Sequence, residues 1–145
     1  MLRPGQAQDA PAVAACAEAA YARYVPLIGR KPAPMLADFP AQIAAGQVTV
    51  WDEDGIHAYM VAFPLEGAFF LESIAVAPEA AGRGLGTRLM QHFEATARAR
   101  GFERVTLYTN ARMVENLRIY AHLGYEETAR RSEGGFDRVW FEKRV

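Results

Sequence analysis

The chain has 145 residues, 16 basic against 17 acidic side chains, a net charge of −1 and 51% hydrophobic residues. That length suits one domain that buries roughly two-thirds of its unfolded surface, so no disulfide or metal staple is needed. Near-balanced charge argues against nucleic-acid binding through a broad basic face, and no signal or membrane-length run is visible, so a cytoplasmic protein with neither nucleic-acid nor membrane partners is expected.

In chain order, residues 2–4 read as a short edge strand. Asp9 reads as an N-cap, with Pro11 in the first turn, for a helix running to about Tyr24. Cys16, the single cysteine, lies in the alanine-rich run of that helix. With no histidine near it in sequence, it reads as a packing thiol rather than a nucleophile. Pro26, Pro32 and Pro34 punctuate the next segment, and a shorter second helix is expected over 35–45, stopped by Gly46.

Strands are expected at 48–51 and 56–63 around a turn at 52–55, and Gly67 marks another turn before a strand at 68–76. Leu85, Leu89, Phe93 and Ala97 then recur at four-residue spacing, one apolar stripe along a helix that Gly101 ends. A strand at 104–109 and a helix at 114–123, closed by Gly124, follow. A hairpin with strands at 125–130 and 136–142 around a turn at 132–135 completes the chain. The order β-α-α-β-β-β-α-β-α-β-β predicts an α/β fold, a mixed sheet with helices on both faces, in one domain over 1–145.

The junction between the strand at 68–76 and the next helix carries the most chemistry. Gly82, Gly84 and Gly86 strip the turn of Cβ atoms, so successive backbone N–H groups can converge at the positive end of a helix dipole. Such a turn is a ready site for phosphate or pyrophosphate. A nucleoside-triphosphate loop would need Lys followed by Ser or Thr, and here the turn ends Gly86, Thr87, Arg88. A dinucleotide fingerprint would follow an early strand, whereas this turn lies past mid-chain behind an antiparallel meander.

Downstream, Asn110 closes the next strand, and Asn116, Tyr120, Gly124 and Tyr125 follow through the next helix. Asn116 and Tyr120, four apart, share one helix face. With the strand IAVAP, the turn GRGLGT and the helix NLRIYAHLGY, the chain resembles the GNAT superfamily of N-acetyltransferases, which use acetyl-coenzyme A. The resemblance covers residues 68–125 at the motif level and the whole chain in element order.

The resemblance implies a mostly antiparallel central sheet of about six to seven strands. It implies that the backbone of Ile74, Ala75 and Val76 pairs with the pantetheine arm like an added strand, on a strand splayed from its neighbour. The amides of Gly82, Arg83, Gly84, Leu85, Gly86 and Thr87 would hold the pyrophosphate. Asn110 and Asn116 would serve the cofactor, and Tyr120 would point at the thioester sulfur. The family usually opens this turn with Arg or Gln, where this chain has Ala81, so one side-chain contact is missing while the main-chain cradle is kept.

Acetyl transfer needs a neutral amine and a proton for the departing thiolate. A lysine amine costs roughly 4–5 kcal/mol to deprotonate at pH 7, and an α-amine near 8 only about 1. Glu72, on the face of Ile74 and Val76, is the candidate base, with a plain polar strand position as the alternative. Ser73 faces away from it and takes no role. Tyr120 is the candidate acid, since a phenol can donate to a thiolate without being ionised at rest; a buried packing tyrosine is the alternative.

Tyr21, Tyr24, Arg30 and Lys31, with Arg130 and Arg131, lie in the segments that frame the acceptor side in the family and would suit an acidic or polar substrate, although solvated surface charge and helix packing are the simpler reading for each. His57, His92 and His122 are too scattered for a metal, so no metal is expected. The implied function is N-acetyltransfer from acetyl-coenzyme A to a primary amine of a small molecule or peptide, the alternative being an acetyl-coenzyme A sensor with little catalysis. Small members of the family often dimerise, so a homodimer is an expectation.

Overall fold

A computed structural model describes residues 1–145. Strands β1 (Leu2–Pro4), β2 (Val48–Asp52), β3 (Ile56–Leu65), β4 (Ala68–Val76), β5 (Arg104–Asn110), β6 (Glu126–Glu133) and β7 (Phe136–Arg144) form one sheet in the order β1-β2-β3-β4-β5-β7-β6. The helices are α1 (Ala10–Tyr21), α2 (Val25–Ile28), α3 (Phe39–Ala44), α4 (Leu85–Ala99) and α5 (Val114–His122). β4 and β5 run parallel, and the pairs β1–β2, β2–β3, β5–β7 and β6–β7 are antiparallel, so the sheet is mixed and mostly antiparallel as expected. No helix is long and apolar enough to cross a membrane. The chain divides into two compact units, Met1–Ala62 with Ser73–Phe93, and Phe63–Glu72 with Glu94–Val145.

In the first unit, Val13, Ala17 and Tyr21 of α1 are buried, as are Val48 and Val50 of β2 and Tyr59 and Val61 of β3. Asp9 stands at the N-cap position of α1, as expected. Its side chain makes no cap bond to α1. Instead it accepts two hydrogen bonds from Arg3, at 2.7 and 3.0 Å, and one from the Gln6 N–H at 2.7 Å. A guanidinium offers a buried carboxylate two charge-assisted bonds where a helix end offers weaker ones. Arg3 also bonds Asp52, and both carboxyls are held below the ordinary range, first by the Arg3 bond.

The stretch after α1 also departs from the sequence reading. Pro26 opens the four-residue α2 instead of breaking the chain, since a first-turn proline sacrifices no helical N–H. The helix expected over 35–45 is shorter. Ala33–Leu36 is a 3-10 turn, and α3 starts at Phe39 because Asp38 accepts the Ala41 N–H at 3.1 Å and Pro40 sits in the first turn. Gly46, at φ +73°, ends it as expected.

The stripe on α4 is buried throughout: Leu85, Leu89, Phe93 and Ala97 expose 3% or less. Each large member contributes roughly 1.5–3 kcal/mol of burial. In the second unit, Leu71, Val105, Leu107, Val139 and Phe141 are buried, and the antiparallel register pairs Leu107 with Phe141 and Tyr108 with Trp140. The last hairpin is longer than the sequence suggests. Its turn is the pair Gly134–Gly135, at φ +59° and +83°, so β6 extends to Glu133 and the predicted turn residue Ser132 pairs with Asp137.

Candidate active site

In the first unit, β4 ends at Val76 and a short 3-10 turn, Pro78–Ala80, leads to the extended Ala81. Gly82 and Gly84 adopt φ +81° and +76°, the left-handed region in which a Cβ is strained although the surrounding space is open. Gly86 differs: its φ is ordinary, and a Cβ there would lie 3.9 Å from a Val76 methyl. The first helical bond of α4 runs from the Arg88 N–H to the Gly84 carbonyl at 3.1 Å. The N–H groups of Leu85, Gly86 and Thr87 therefore precede the helical ladder, as the first amides of any α-helix do. The turn expected to hold a pyrophosphate thus divides into a left-handed loop, Gly82 to Gly84, and a helix end, Leu85 to Thr87.

How the side chains of this turn are held is not visible in any local sequence pattern. Arg83 pairs with Glu53 at 2.9 Å, and the Arg88 guanidinium lies 5.4 Å from the centre of the Trp51 ring. Trp51 also donates its indole N–H to Glu53 at 3.2 Å; this bond, then Arg83, holds the Glu53 carboxyl below its ordinary range. Both pairs join β2 or the loop after it to the turn, a proximity that only sheet pairing creates.

Of the expected acceptor residues, Tyr21 is tied to the strand itself. Its hydroxyl donates to the Ile74 carbonyl at 2.7 Å. One polar group expected to serve the pantetheine arm is thus already engaged, although a carbonyl oxygen keeps a second lone pair. Tyr24 turns to its neighbour: Arg23 bonds its hydroxyl at 2.9 Å and lies over its ring. Arg30 is exposed and follows Gly29, which is left-handed. Cys16 is buried, and its thiol is pushed up to about 11 by burial and then by Glu79, which fits a packing role.

Along β4, Glu72, Ile74 and Val76 are half-buried while Ser73 and Ala75 are buried, the alternation the sequence predicts. Ser73 donates to the Tyr59 hydroxyl at 3.1 Å.

In the second unit, Tyr120 exposes 7%. Its ring meets Tyr125 edge-on, with centroids 6.0 Å apart, and leans on Phe141 at 5.9 Å. Tyr125 donates its hydroxyl to Glu94 at 2.9 Å, and Lys143 bonds the same carboxylate at 3.0 Å. Burial, followed by Glu94, pushes the Tyr125 phenol far up, so this tyrosine stays protonated with its proton committed. Asn116 donates to the Thr109 hydroxyl at 3.4 Å, joining α5 to β5. The Asn110 side-chain oxygen accepts the Arg112 N–H at 2.9 Å and shapes the turn into α5.

The parallel register pairs Phe69 with Val105, Phe70 with Thr106 and Leu71 with Leu107, and Glu72 follows the last of these. Around it stands a cluster that sequence reasoning missed. Phe70 stacks on Tyr108 at 5.7 Å and on Trp140 at 5.6 Å, and the Arg138 guanidinium sits 4.2 Å from the Tyr108 ring centre. The three rings come from β4, β5 and β7, so no local pattern announces them.

The chain matches a sequence model of the acetyltransferase (GNAT) family over residues 14–125. It is 48% identical over 59 residues to N-alpha-acetyltransferase 80 of Mus musculus, a stretch that covers 41% of this chain and 18% of that protein. The chain thus spans less than a fifth of that relative. Its fold is similar to that of PaiA N-acetyltransferase from Thermoplasma acidophilum, solved in complex with coenzyme A, with a TM-score of 0.82 and 14% identity over 100% of this chain and 98% of that one. It is also similar to the ribosomal-protein-S18-alanine N-acetyltransferase of Escherichia coli, with a TM-score of 0.77 and 18% identity over 100% and 93% of the two chains. With the family pattern matched across most of its length and this fold around it, the chain belongs to the GNAT acetyltransferase family.

Proposed function

We propose that the chain transfers an acetyl group from acetyl-coenzyme A to a primary amine of a small molecule or peptide by direct attack, with residues 1–145 acting as one acetyltransferase domain. The observation that carries this reading is the turn at Gly82 to Thr87. Two left-handed glycines lead straight into a helix whose first three amides precede its hydrogen-bond ladder, which suits a pyrophosphate. In this reading those amides hold the donor, and Ile74, Ala75 and Val76 offer backbone to its pantetheine arm. Asn110 and Asn116 serve the cofactor, the latter from α5. Tyr120 gives its proton to the departing thiolate.

The relatives named for N-alpha and for alanine acetylation favour an α-amine acceptor. Such an amine costs only about 1 kcal/mol to deprotonate at pH 7. Glu72 then acts as a modest base, through water or directly, and no metal is required. A second reading, a sensor that binds acetyl-coenzyme A with little turnover, rests on Ala81, whose methyl group replaces the side-chain contact usual at the start of the turn.

Thermal shift with acetyl-coenzyme A, followed by thiol release over a panel of amines, tests both. Stabilisation with turnover on at least one amine is expected. Stabilisation with no turnover on any amine favours the sensor, and no stabilisation at millimolar donor removes both readings.

A further inference from the structure

In the second unit, β6 closes the sheet order and pairs only with β7, so the other edge of its main chain has no strand beside it. Six of its eight residues are exposed, and no loop or helix main chain bonds to residues 126–133. An open edge of this length is a template for a further strand.

The charges of β6 are sorted along the strand. Glu126 and Glu127 stand at its start and Arg130 and Arg131 four residues on, with Thr128 and the small Ala129 between them. β7 pairs Phe141 with Glu127 and the adjacent Trp140 with Ala129, so Thr128 is the extra residue of a bulge. Directly opposed residues share a face of the sheet, and successive residues of β7 alternate. Glu127 and Arg130 therefore lie on one face, paired with Phe141 and Val139. Glu126, Ala129 and Arg131 lie on the other, paired with Glu142, Trp140 and Arg138. The contacts agree: Arg130 bonds Glu127 at 2.8 Å, and Arg131 lies 5.3 Å from the Trp140 ring centre.

On that second face each charge is poorly matched within the chain. Glu126 is opposed by Glu142 and Arg131 by Arg138, and like charges directly across a ladder destabilise it. Neither Glu126 nor Arg131 takes part in an ion pair. A second copy of the strand supplies the missing partners. Set antiparallel about a two-fold axis through Ala129 and normal to the sheet, Arg131 meets Glu126 and Arg130 meets Glu127. Each pair falls on a common face, and the axis repeats it. The bonds between Arg130 and Glu127 within each strand then join into one network. A parallel neighbour would instead set acid against acid.

We infer that β6 is the interface of a homodimer, in which two copies join their sheets edge to edge in antiparallel register centred on Ala129, with Glu126 and Glu127 of each facing Arg131 and Arg130 of the other. The inference goes beyond the acetyl-transfer reading and does not depend on it. Arg130 and Arg131, expected from the sequence beside an acceptor, here have the carboxylates of a second copy as their counterparts.

Sedimentation equilibrium of the full chain tests the interface. The wild type is expected to dimerise at submillimolar concentration, and several-fold more weakly in high salt, because the pairs are exposed. Arg130→Glu with Arg131→Glu makes the edge wholly acidic, and Glu126→Arg with Glu127→Arg makes it wholly basic. Each chain alone is expected to associate roughly 100-fold more weakly or worse, and an equimolar mixture of the two to form a heterodimer. Melting temperatures check that both fold. If either does not, the chain carrying all four substitutions decides: its signs are exchanged throughout, so it is expected to dimerise with itself and not with the wild type. A monomeric wild type, a dimer that survives either double reversal, a mixture that does not associate, or a fourfold variant that fails to pair with itself overturns the inference.

Discussion

The Tyr21 hydroxyl donates to the Ile74 carbonyl at 2.7 Å, so the last residue of α1 holds the strand from which the pantetheine contacts are expected. Tyr21→Phe removes that bond and leaves the ring packing in place. A loss of about 1 kcal/mol is expected, read as a lower urea midpoint at unchanged m. The KM for acetyl-coenzyme A should rise several-fold while kcat changes little. An unaltered KM would separate this bond from donor binding.

Substitutions at two glycines of the turn should diverge. Gly84→Ala forces an L-residue to φ +76°, at a cost of roughly 1–2 kcal/mol, and is expected to lower both the melting temperature and the donor-induced shift. Gly86→Ala, inside the first turn of α4 with ordinary φ, should raise the stability of the free protein by about 0.5–1 kcal/mol. It should still reduce the donor-induced shift, because its methyl group stands among the amides proposed to meet the pyrophosphate. Paired calorimetric scans with and without acetyl-coenzyme A check both.

Tyr120→Phe keeps the ring contacts with Tyr125 and Phe141. Unfolding should therefore shift by under 1 kcal/mol, while kcat falls about 100-fold and donor binding is kept. A variant with full turnover would make Tyr120 a packing residue.

The ion pair of Arg3 and Asp9 gives a pH signature. The folded state depresses the Asp9 carboxyl, so its contribution is complete above the unfolded value of about 3.9 and vanishes as the pH falls through the lower folded value. Asp9→Asn should cost about 1–2 kcal/mol at pH 7, because two bonds from a guanidinium to a buried carboxylate are weakened. The gap between wild type and variant should close below about pH 4, as followed by urea unfolding at a series of pH values.

What could be read from the sequence was what local chemistry dictates. The strand at 68–76 is bounded by Gly67 and by Ala77 and Pro78, so its limits were visible. The α4 stripe repeats at the helical period, so its buried face was visible too. Asp9 sits at the N-cap of α1 as its position suggests, but its bond to Arg3 was not legible, because Arg3 lies on a strand whose position depends on pairing with β2. The helix expected at Met35 failed because Asp38 and Pro40 set a competing start four residues later. The glycine turn was legible as a main-chain feature, but the link between Glu53 and Arg83 spans thirty residues. The Phe70, Tyr108 and Trp140 stack needs three strands in register, which no sequence window contains.

Tyr125 has a consequence for how the second unit reports on itself. Its proton is committed to Glu94 inside the packing that also carries Lys143 and the Tyr120 ring. Hydroxide can strip that proton only after the packing has opened. In an alkaline titration, therefore, the last tyrosine to ionise measures local unfolding around the end of α5 more than it measures acidity.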